Sequence, residues 1–245
     1  MKLISRVALL LLVVTLCACA VAKRTKSVSS AFLSGIDVSK KLENMPFSHS
    51  WVWTDVSRDQ YHAVIIKPVR VDLLEADSWK DSRSPFLSSP EAYDEKAGEI
   101  ASYFQEQLVE KIKTYPETRY SVTDVPGAGV LVVEIALTEL EFSHPGINAG
   151  AIAAPIPGVS QALATITDPH AAFALRLSDS KTGTLIATVA DRKFPPIRMI
   201  DLNKATVSSS VREICSNWSK ELTSALNQGR LGKVESYGFI KLLPW

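Results

Sequence analysis

A short apolar run near the N-terminus divides the chain into a leader and a part that can fold. Lys2 and Arg6 are followed by the charge-free stretch 7–16 and then by small residues. A basic start, a short apolar stretch and small residues, in that order, are typical of a secretory signal. The apolar span ends at Ala22 at the latest, which is short for a helix that must cross about 30 Å of hydrocarbon.

The end of this run, Leu16-Cys17-Ala18-Cys19, resembles the lipobox of bacterial lipoproteins. In that motif an aliphatic residue stands three positions before a cysteine, and a small residue directly precedes it. The resemblance implies that Cys19 becomes the first mature residue and carries the lipid, whose acyl chains together hold a protein firmly on a membrane. Cys17 fits less well, because Leu16 occupies its small-residue position. Ala20 follows Cys19, and this implies the outer membrane, with the domain facing the periplasm.

Two other interpretations of the leader stay open. The small-x-small patterns 18–20 and 20–22 permit ordinary cleavage after Ala20 or Ala22, which would release an unlipidated chain. An uncleaved leader would instead remain as a membrane anchor. The three interpretations differ in the mass of the mature protein.

Cysteine content and charge limit how the mature chain can be stabilised and what it can bind. Two of the three cysteines lie in the leader, so Cys215 has no obvious disulfide partner and stability has to come from a hydrophobic core. The 46% hydrophobic composition suffices for one, and Cys215 itself is expected inside it. Without Lys2 and Arg6 the chain carries 25 basic and 26 acidic side chains, so no basic excess favours nucleic acid.

The pattern predicts a leader, a tether and one large domain. We assign 1–18 to the signal peptide, 19–30 to a small, basic, Ser-rich tether and 31–245 to a single α+β domain. Within it, 145–167 is an insertion that is rich in Gly, Ala and Pro and has no charged residue. Its prolines forbid one continuous spanning helix. It is interpreted as a long loop packed on its own domain or, alternatively, as a hairpin that contacts membrane or a neighbouring subunit.

The order of elements indicates an α+β fold with a mixed, mainly antiparallel sheet and two amphipathic helices packed on one face. Strands are predicted at 50–55, 61–71, 119–124, 130–142, 171–178 and 184–192, and helices from 88 to about 115 and from 202 to 228. Pro68 cannot donate to a ladder, so it predicts an edge strand or the end of the pairing. Ser88, Pro90 and Glu91 predict a capped start for the first helix.

Two tryptophans and the uncharged insertion supply the candidate partner-binding residues. Trp51 and Trp53 alternate along a predicted edge strand and share a face. They are interpreted as half-buried cover for the core or, alternatively, as a docking patch, because aromatic residues are enriched at binding hot spots. The apolar side chains of the insertion that could serve in the same way are Ile147, Ile152 and Ile156.

The sequence contains no recognisable catalytic motif. There is no Walker loop, HExxH or CxxC, and the four histidines show no metal-ligand spacing. Glu139 and Glu141 share one face of a predicted strand and are interpreted as part of a solvated sheet face; alternatively, they could pair with Arg or bind a cation. We therefore predict no catalytic residue, no metal and no cofactor.

Five stretches resemble an uncharacterised family of bacterial lipoproteins of unknown function. These stretches are Leu16–Cys19, Phe32-Leu33-Ser34-Gly35, Tyr61–Val69, Val130–Leu140 with its Gly/Ala-rich sequel, and Asp179 to Gly183. Membership of that family implies an envelope lipoprotein without an established activity.

The function predicted from these observations is that of a non-enzymatic module, anchored through its N-terminal lipid, that binds or assembles another envelope component. Two alternatives stay open: an oligomeric outer-membrane pore or secretion subunit that uses 145–167, and a periplasmic ligand-binding protein or hydrolase. The oligomeric state is open in all three.

Overall fold

The computed structural model describes residues 31–33, 44–52, 57–74, 89–142, 169–195, 208–228 and 234. Cys19, Trp53 and the insertion with Ile147, Ile152 and Ile156 lie outside the described residues. The strands are β1 (His49–Val52), β2 (Ala63–Ile66), β3 (Ser121–Val122), β4 (Val130–Glu141), β5 (His170–Asp179) and β6 (Leu185–Lys193). The helices are α1 (Pro90–Thr114) and α2 (Ser209–Gln228).

The strands form a six-stranded mixed sheet in the order β1-β6-β5-β4-β2-β3. β2 runs parallel to both of its neighbours, β3 and β4, whereas the β4–β5, β5–β6 and β1–β6 pairs are antiparallel. The predicted α+β class and the mainly antiparallel sheet are confirmed. The prediction that the Trp51 strand lies at an edge is also confirmed.

Pro68 was predicted to mark either an edge strand or the end of the pairing, and the edge-strand prediction is wrong. β2 lies inside the sheet between β4 and β3, so it is not an edge strand. Pro68 instead follows the last paired residue of β2, and Arg70 resumes contact with β4 through an isolated bridge to Ala136. Proline is tolerated here because the missing N–H falls outside the regular ladder.

Helix α1 begins at Pro90, directly after its N-cap residue Ser89. The Ser89 hydroxyl accepts a hydrogen bond from the backbone N–H of Ala92 at 3.3 Å, and Pro90 occupies the first turn. The cap is therefore Ser89 and not Ser88, so Glu91 does not stand at the capping-box position predicted for it. The predicted apolar stripe of α1 is buried in full: Tyr93, Ala97, Ile100, Phe104, Leu108 and Ile112.

The two helices run in the same direction on one face of the sheet. Glu99, in the first half of α1, lies 3.9 Å from Arg212 near the start of α2. Beyond α1, the backbone N–H of Arg119 donates to Asn227 at the end of α2 at 3.2 Å. The C-terminal halves of both helices therefore lie over the same end of the sheet.

Aromatic side chains form the centre of the core between helices and sheet. Trp218 lies 4.7 Å from Phe173 on β5 and 5.8 Å from Phe104 on α1, measured between ring centroids. Such pairs add about 0.5–1.5 kcal/mol each beyond the burial of their area. Cys215 is fully buried beside them, as predicted, and burial raises the pKa of its thiol far above the ordinary value.

Among the described residues, no helix is both long and apolar enough to cross a membrane.

A candidate apolar binding site beside the edge strand

A cavity of about 150 Å³, partly open to solvent, lies between the sheet and the C-terminal halves of the two helices. The helices contribute Leu108 and Ile112 from α1 and Leu222, Ala225 and Leu226 from α2. The sheet and the segments next to it contribute Met45, Phe47, Ser50, Trp51, Tyr61, Tyr120, Leu131, Val133, Leu175, Leu177, Ile186, Ala187, Thr188 and Val189. The cavity exists because alternate residues of β4, β5 and β6 point toward the helices, and the helix stripes do not fill all the space above them.

The lining divides into a deep end and a rim. Leu108 and Ile112 of α1 and Leu131 of β4 are buried, with exposures of 2%, 1% and 3%. Met45 and Leu226 are only half-buried, and they lie toward β1 and the end of α2. A ligand that entered at the rim would therefore meet fully desolvated aliphatic side chains at the deep end.

The described lining contains no ionisable carboxylate, amine or imidazole. The polar residues that border the cavity are Ser50, Tyr61, Tyr120 and Thr188, together with Trp51. The Tyr61 hydroxyl donates to Asp179 at 3.0 Å. Burial, together with this bond, raises the pKa of Tyr61 to about 12, so the phenol is neutral at physiological pH. This lining suits the binding of an apolar group.

Trp51 is the one predicted partner-binding residue that lies within the described part of the chain. It borders the cavity from the edge strand β1, and its ring stacks on His49 with centroids 5.3 Å apart and planes 9° from parallel. The register of β1 places His49 and Trp51 opposite Ala190 and Thr188, on the sheet face away from the helices. Trp51 is half-buried, so the structure keeps both of its predicted roles, core cover and docking contact, open.

The turn between β5 and β6 lies at the end of the sheet that borders the cavity. Asp179 accepts from the backbone N–H groups of Lys181 and Thr182 at 2.9 and 2.7 Å. The hydrogen bond from the Thr182 backbone is the main cause that lowers the pKa of Asp179. Gly183 completes the turn at a φ of 70°, where glycine has no steric penalty. The stretch from Asp179 to Gly183 is thus a structural turn.

A buried charged cluster on the helix face was not predicted. Asp191 is 2% exposed and accepts hydrogen bonds from Trp218, at 2.8 Å, and from the backbone and hydroxyl of Ser48. Next to it, Lys193 is paired with Glu221, whose side chain is fully buried. The signal was available in the sequence, because Asp191 and Lys193 continue the alternation of the apolar residues Ala187 and Val189.

A second ionic cluster lies on the opposite sheet face, at the far end from the cavity. Oε2 of Glu139 lies 2.9 Å from Nε of Arg192 and 3.4 Å from Nε2 of His170. All three side chains are largely buried. The solvated sheet face predicted for Glu139 is therefore wrong, and the alternative of an Arg partner is correct. Within the described part of the chain, no three His, Cys, Asp or Glu residues are grouped so that they could hold a metal ion.

The family model described as "Protein of unknown function (DUF3313)" matches residues 29–222. The chain belongs to this family. The resemblance to an uncharacterised family, stated from the sequence, is confirmed. The match covers all described elements from the turn at 31–33 to Leu222 of α2.

Two solved structures are similar to this chain at low identity. A PelC dodecamer from Paraburkholderia phytofirmans is 9% identical, with a TM-score of 0.37, over 71% of this chain and 94% of that one. A neuraminyllactose-binding hemagglutinin homologue from Helicobacter pylori is 12% identical, with a TM-score of 0.32, over 74% and 88%. No curated protein matches the chain.

Proposed function

We propose that this protein is a non-enzymatic envelope lipoprotein, anchored in the outer membrane through Cys19, whose α+β domain binds an apolar part of another envelope component. The observation that carries the binding role is the partly open cavity whose described lining is mainly aliphatic and aromatic and has no carboxylate, amine or imidazole. Largely preformed apolar pockets with a few polar groups are the usual form of a ligand site.

Position 226 offers a direct test of the binding role. A photo-crosslinking phenylalanine analogue in place of Leu226, on α2, stands at the cavity rim and on the helix side of the sheet. The same analogue at Glu95, an exposed residue in the first half of α1, serves as the control. In cells, irradiation is expected to give a defined adduct from position 226 and none from position 95. Equal labelling from both positions, or none from either, would contradict a binding site at this cavity.

The anchor has its own test, which is the intact mass of the mature protein from membranes. A triacylated N-terminus at Cys19, absent from a Cys19→Ala variant, is expected because residues 16–19 match the lipobox. A mass that corresponds to unlipidated cleavage after Ala20 or Ala22 would remove the anchor from the proposal. It would then favour a soluble periplasmic ligand-binding protein.

A further inference from the structure

We propose that the cavity takes the end of one unbranched hydrocarbon chain, such as the acyl chain of a lipid or a fatty acid. The inference rests on the proposed function, since it concerns the same cavity, and it specifies the chemical class of the ligand. Three properties of the cavity lead to it: the chemistry of its lining, its shape and the position of its rim.

The lining excludes ligands whose buried part is polar. Its buried lining includes the aliphatic side chains of Leu108, Ile112, Leu131, Val133, Leu175 and Leu222. A polar group placed among them would lose its water contacts without gaining partners, whereas a methylene group loses nothing. The part of the ligand inside the cavity is therefore hydrocarbon.

The shape favours a chain over a ring system. The lining residues come from four adjacent strands, β4, β5, β6 and β1. Because neighbouring strands lie about 4.8 Å apart, this wall is about 14 Å wide. A volume of about 150 Å³ spread along that wall leaves a narrow space. An apolar cavity of this size accommodates a benzene-sized group, so about six carbon atoms of a chain can enter.

The rim determines how the chain is oriented. The buried residues Leu108, Ile112 and Leu131 lie at the deep end, and half-buried Met45 and Leu226 lie at the rim. The methyl end of the chain would reach the deep end, while its polar head stays at the rim in contact with water. Since the described lining offers no cation, the proposed recognition is of the chain and not of the head group.

A chain-length series tests the inference on the full-length protein purified from membranes. The detergent is of the cholate type, whose fused rings are too wide for the cavity. Binding of n-alkanols from butanol to decanol is measured by titration calorimetry. Affinity is expected to rise about fourfold for each added methylene and to level off when about six carbons are buried. Absence of saturable binding, or affinity that does not depend on chain length, would overturn the proposal.

A caged alcohol separates shape from hydrophobicity. The alcohol 1-adamantanol has ten carbons, like decanol, but it is too wide for a narrow cavity. It is expected to bind about tenfold or more weakly than decanol, which corresponds to the loss of two methylene groups from the site. If 1-adamantanol binds as tightly as decanol, the unbranched-chain assignment is wrong.

A matched pair of variants locates the binding. Ala225→Leu on α2 extends a side chain into the cavity and is expected to weaken octanol binding about tenfold or more. Ala92→Leu lies in the first turn of α1, at the other end of the helices. This variant is expected to change the affinity for octanol by less than about twofold, because distant sites act independently. Ala187→Leu on β6 fills the cavity from the sheet side and replaces Ala225→Leu if that variant does not fold. Unchanged binding in a folded, cavity-filled variant would contradict the assignment.

Lipid extraction identifies the molecule that supplies the hydrocarbon chain. Mass spectrometry of the extract from the wild-type protein is expected to show one noncovalent lipid, reduced in the Ala225→Leu variant. A phospholipid would indicate membrane lipid, and a carboxylic acid would indicate free fatty acid. If alkanols fail to bind while position 226 still forms its adduct, the ligand class is wrong but the binding role stands. If both fail, the proposed function fails as well.

Discussion

The indole N–H of Trp218 donates to Oδ2 of Asp191 at 2.8 Å, within the hydrophobic core. The other carboxylate oxygen accepts from both the backbone N–H and the hydroxyl of Ser48, at 3.0 and 2.7 Å. One buried carboxylate therefore joins α2, β6 and the segment that leads into β1. Because β1 borders the cavity, this carboxylate also holds the cavity rim in place.

Replacement of Asp191 by Ala should destabilise the fold strongly. The substitution leaves the Trp218 indole N–H and the Ser48 donors without their acceptor, and it removes a negative charge 3.8 Å from Lys193. Breaking a buried charged network of this kind costs about 3–5 kcal/mol. Denaturant unfolding monitored by tryptophan fluorescence measures the loss. Asp94→Ala, at an exposed position on α1, serves as the control and should change stability by less than about 0.5 kcal/mol.

Replacing Lys193 alone should destabilise the fold strongly, whereas replacing both members of the Lys193–Glu221 pair should change stability little. Lys193→Met leaves the fully buried carboxylate of Glu221 without its ammonium partner, which is expected to cost about 3–5 kcal/mol. The double variant Lys193→Met/Glu221→Leu replaces the pair by apolar side chains and should unfold within about 1–2 kcal/mol of the wild type. Additive losses in a double-mutant cycle would show that the pair does not act as a unit.

Gly129 should not tolerate a side chain, whereas Gly127, in the same loop, should. Gly129 has a φ of 73°, and an added Cβ would lie 2.4 Å from Cε1 of His62 and 2.8 Å from the carbonyl oxygen of Gln60. Gly129→Ala is expected to cost about 2–4 kcal/mol through backbone strain and overpacking. Gly127 has open space around it, so Gly127→Ala should be neutral or stabilise by up to about 1 kcal/mol. Equal melting temperatures for the two variants would refute this assignment.

The Tyr61–Asp179 contact predicts a loss of stability at high pH. The folded-state pKa of Tyr61 is raised to about 12 from an ordinary value of 10.0. A raised pKa in the folded state means that the contribution is complete below the unfolded-state pKa and is lost as the pH rises from 10.0 to about 12. The wild type should therefore lose more stability than Tyr61→Phe over this range, measured by denaturant unfolding at each pH.

An Asp179→Asn variant separates the causes of the Tyr61 shift. Burial is the largest cause, and the hydrogen bond and charge of Asp179 come next. In this variant the pKa of Tyr61 should fall only part of the way toward 10.0, because the burial remains. The difference in tyrosinate absorbance between this variant and its Tyr61→Phe derivative measures the titration. Full return to the ordinary value would mean that burial contributes nothing.

The periodic elements could be predicted from sequence because their signals are local. The stripe from Tyr93 to Ile112 repeats at helical spacing, and the whole stripe is buried as predicted. The strand predicted at 130–142 is observed at Val130–Glu141, and the strand predicted at 184–192 is observed at Leu185–Lys193. Periodicity was sufficient here because one face of each element packs against the core.

The candidate site could be predicted only in part. The sequence pattern singles out Trp51 together with Trp53 on one predicted edge strand, and Trp51 does border the cavity. The cavity itself had no sequence signal, because it is the space left between two helix stripes and a sheet face. Alternation places Asp191 and Lys193 on the apolar face, but it does not identify their partners Trp218 and Glu221, which stand about 28 residues further along the chain.

The amino-acid sequence by itself determined the leader pattern that ends at Cys19, the apolar faces of the helices and strands, and the fold class. These follow from the order and spacing of residues within short windows. Only the tertiary structure decided that β2 lies inside the sheet and that a carboxylate is buried at Asp191. It also left an open apolar cavity beside Trp51. The physical reason is that strand order, charge pairing and empty volume depend on which distant segments meet, and no local pattern records this.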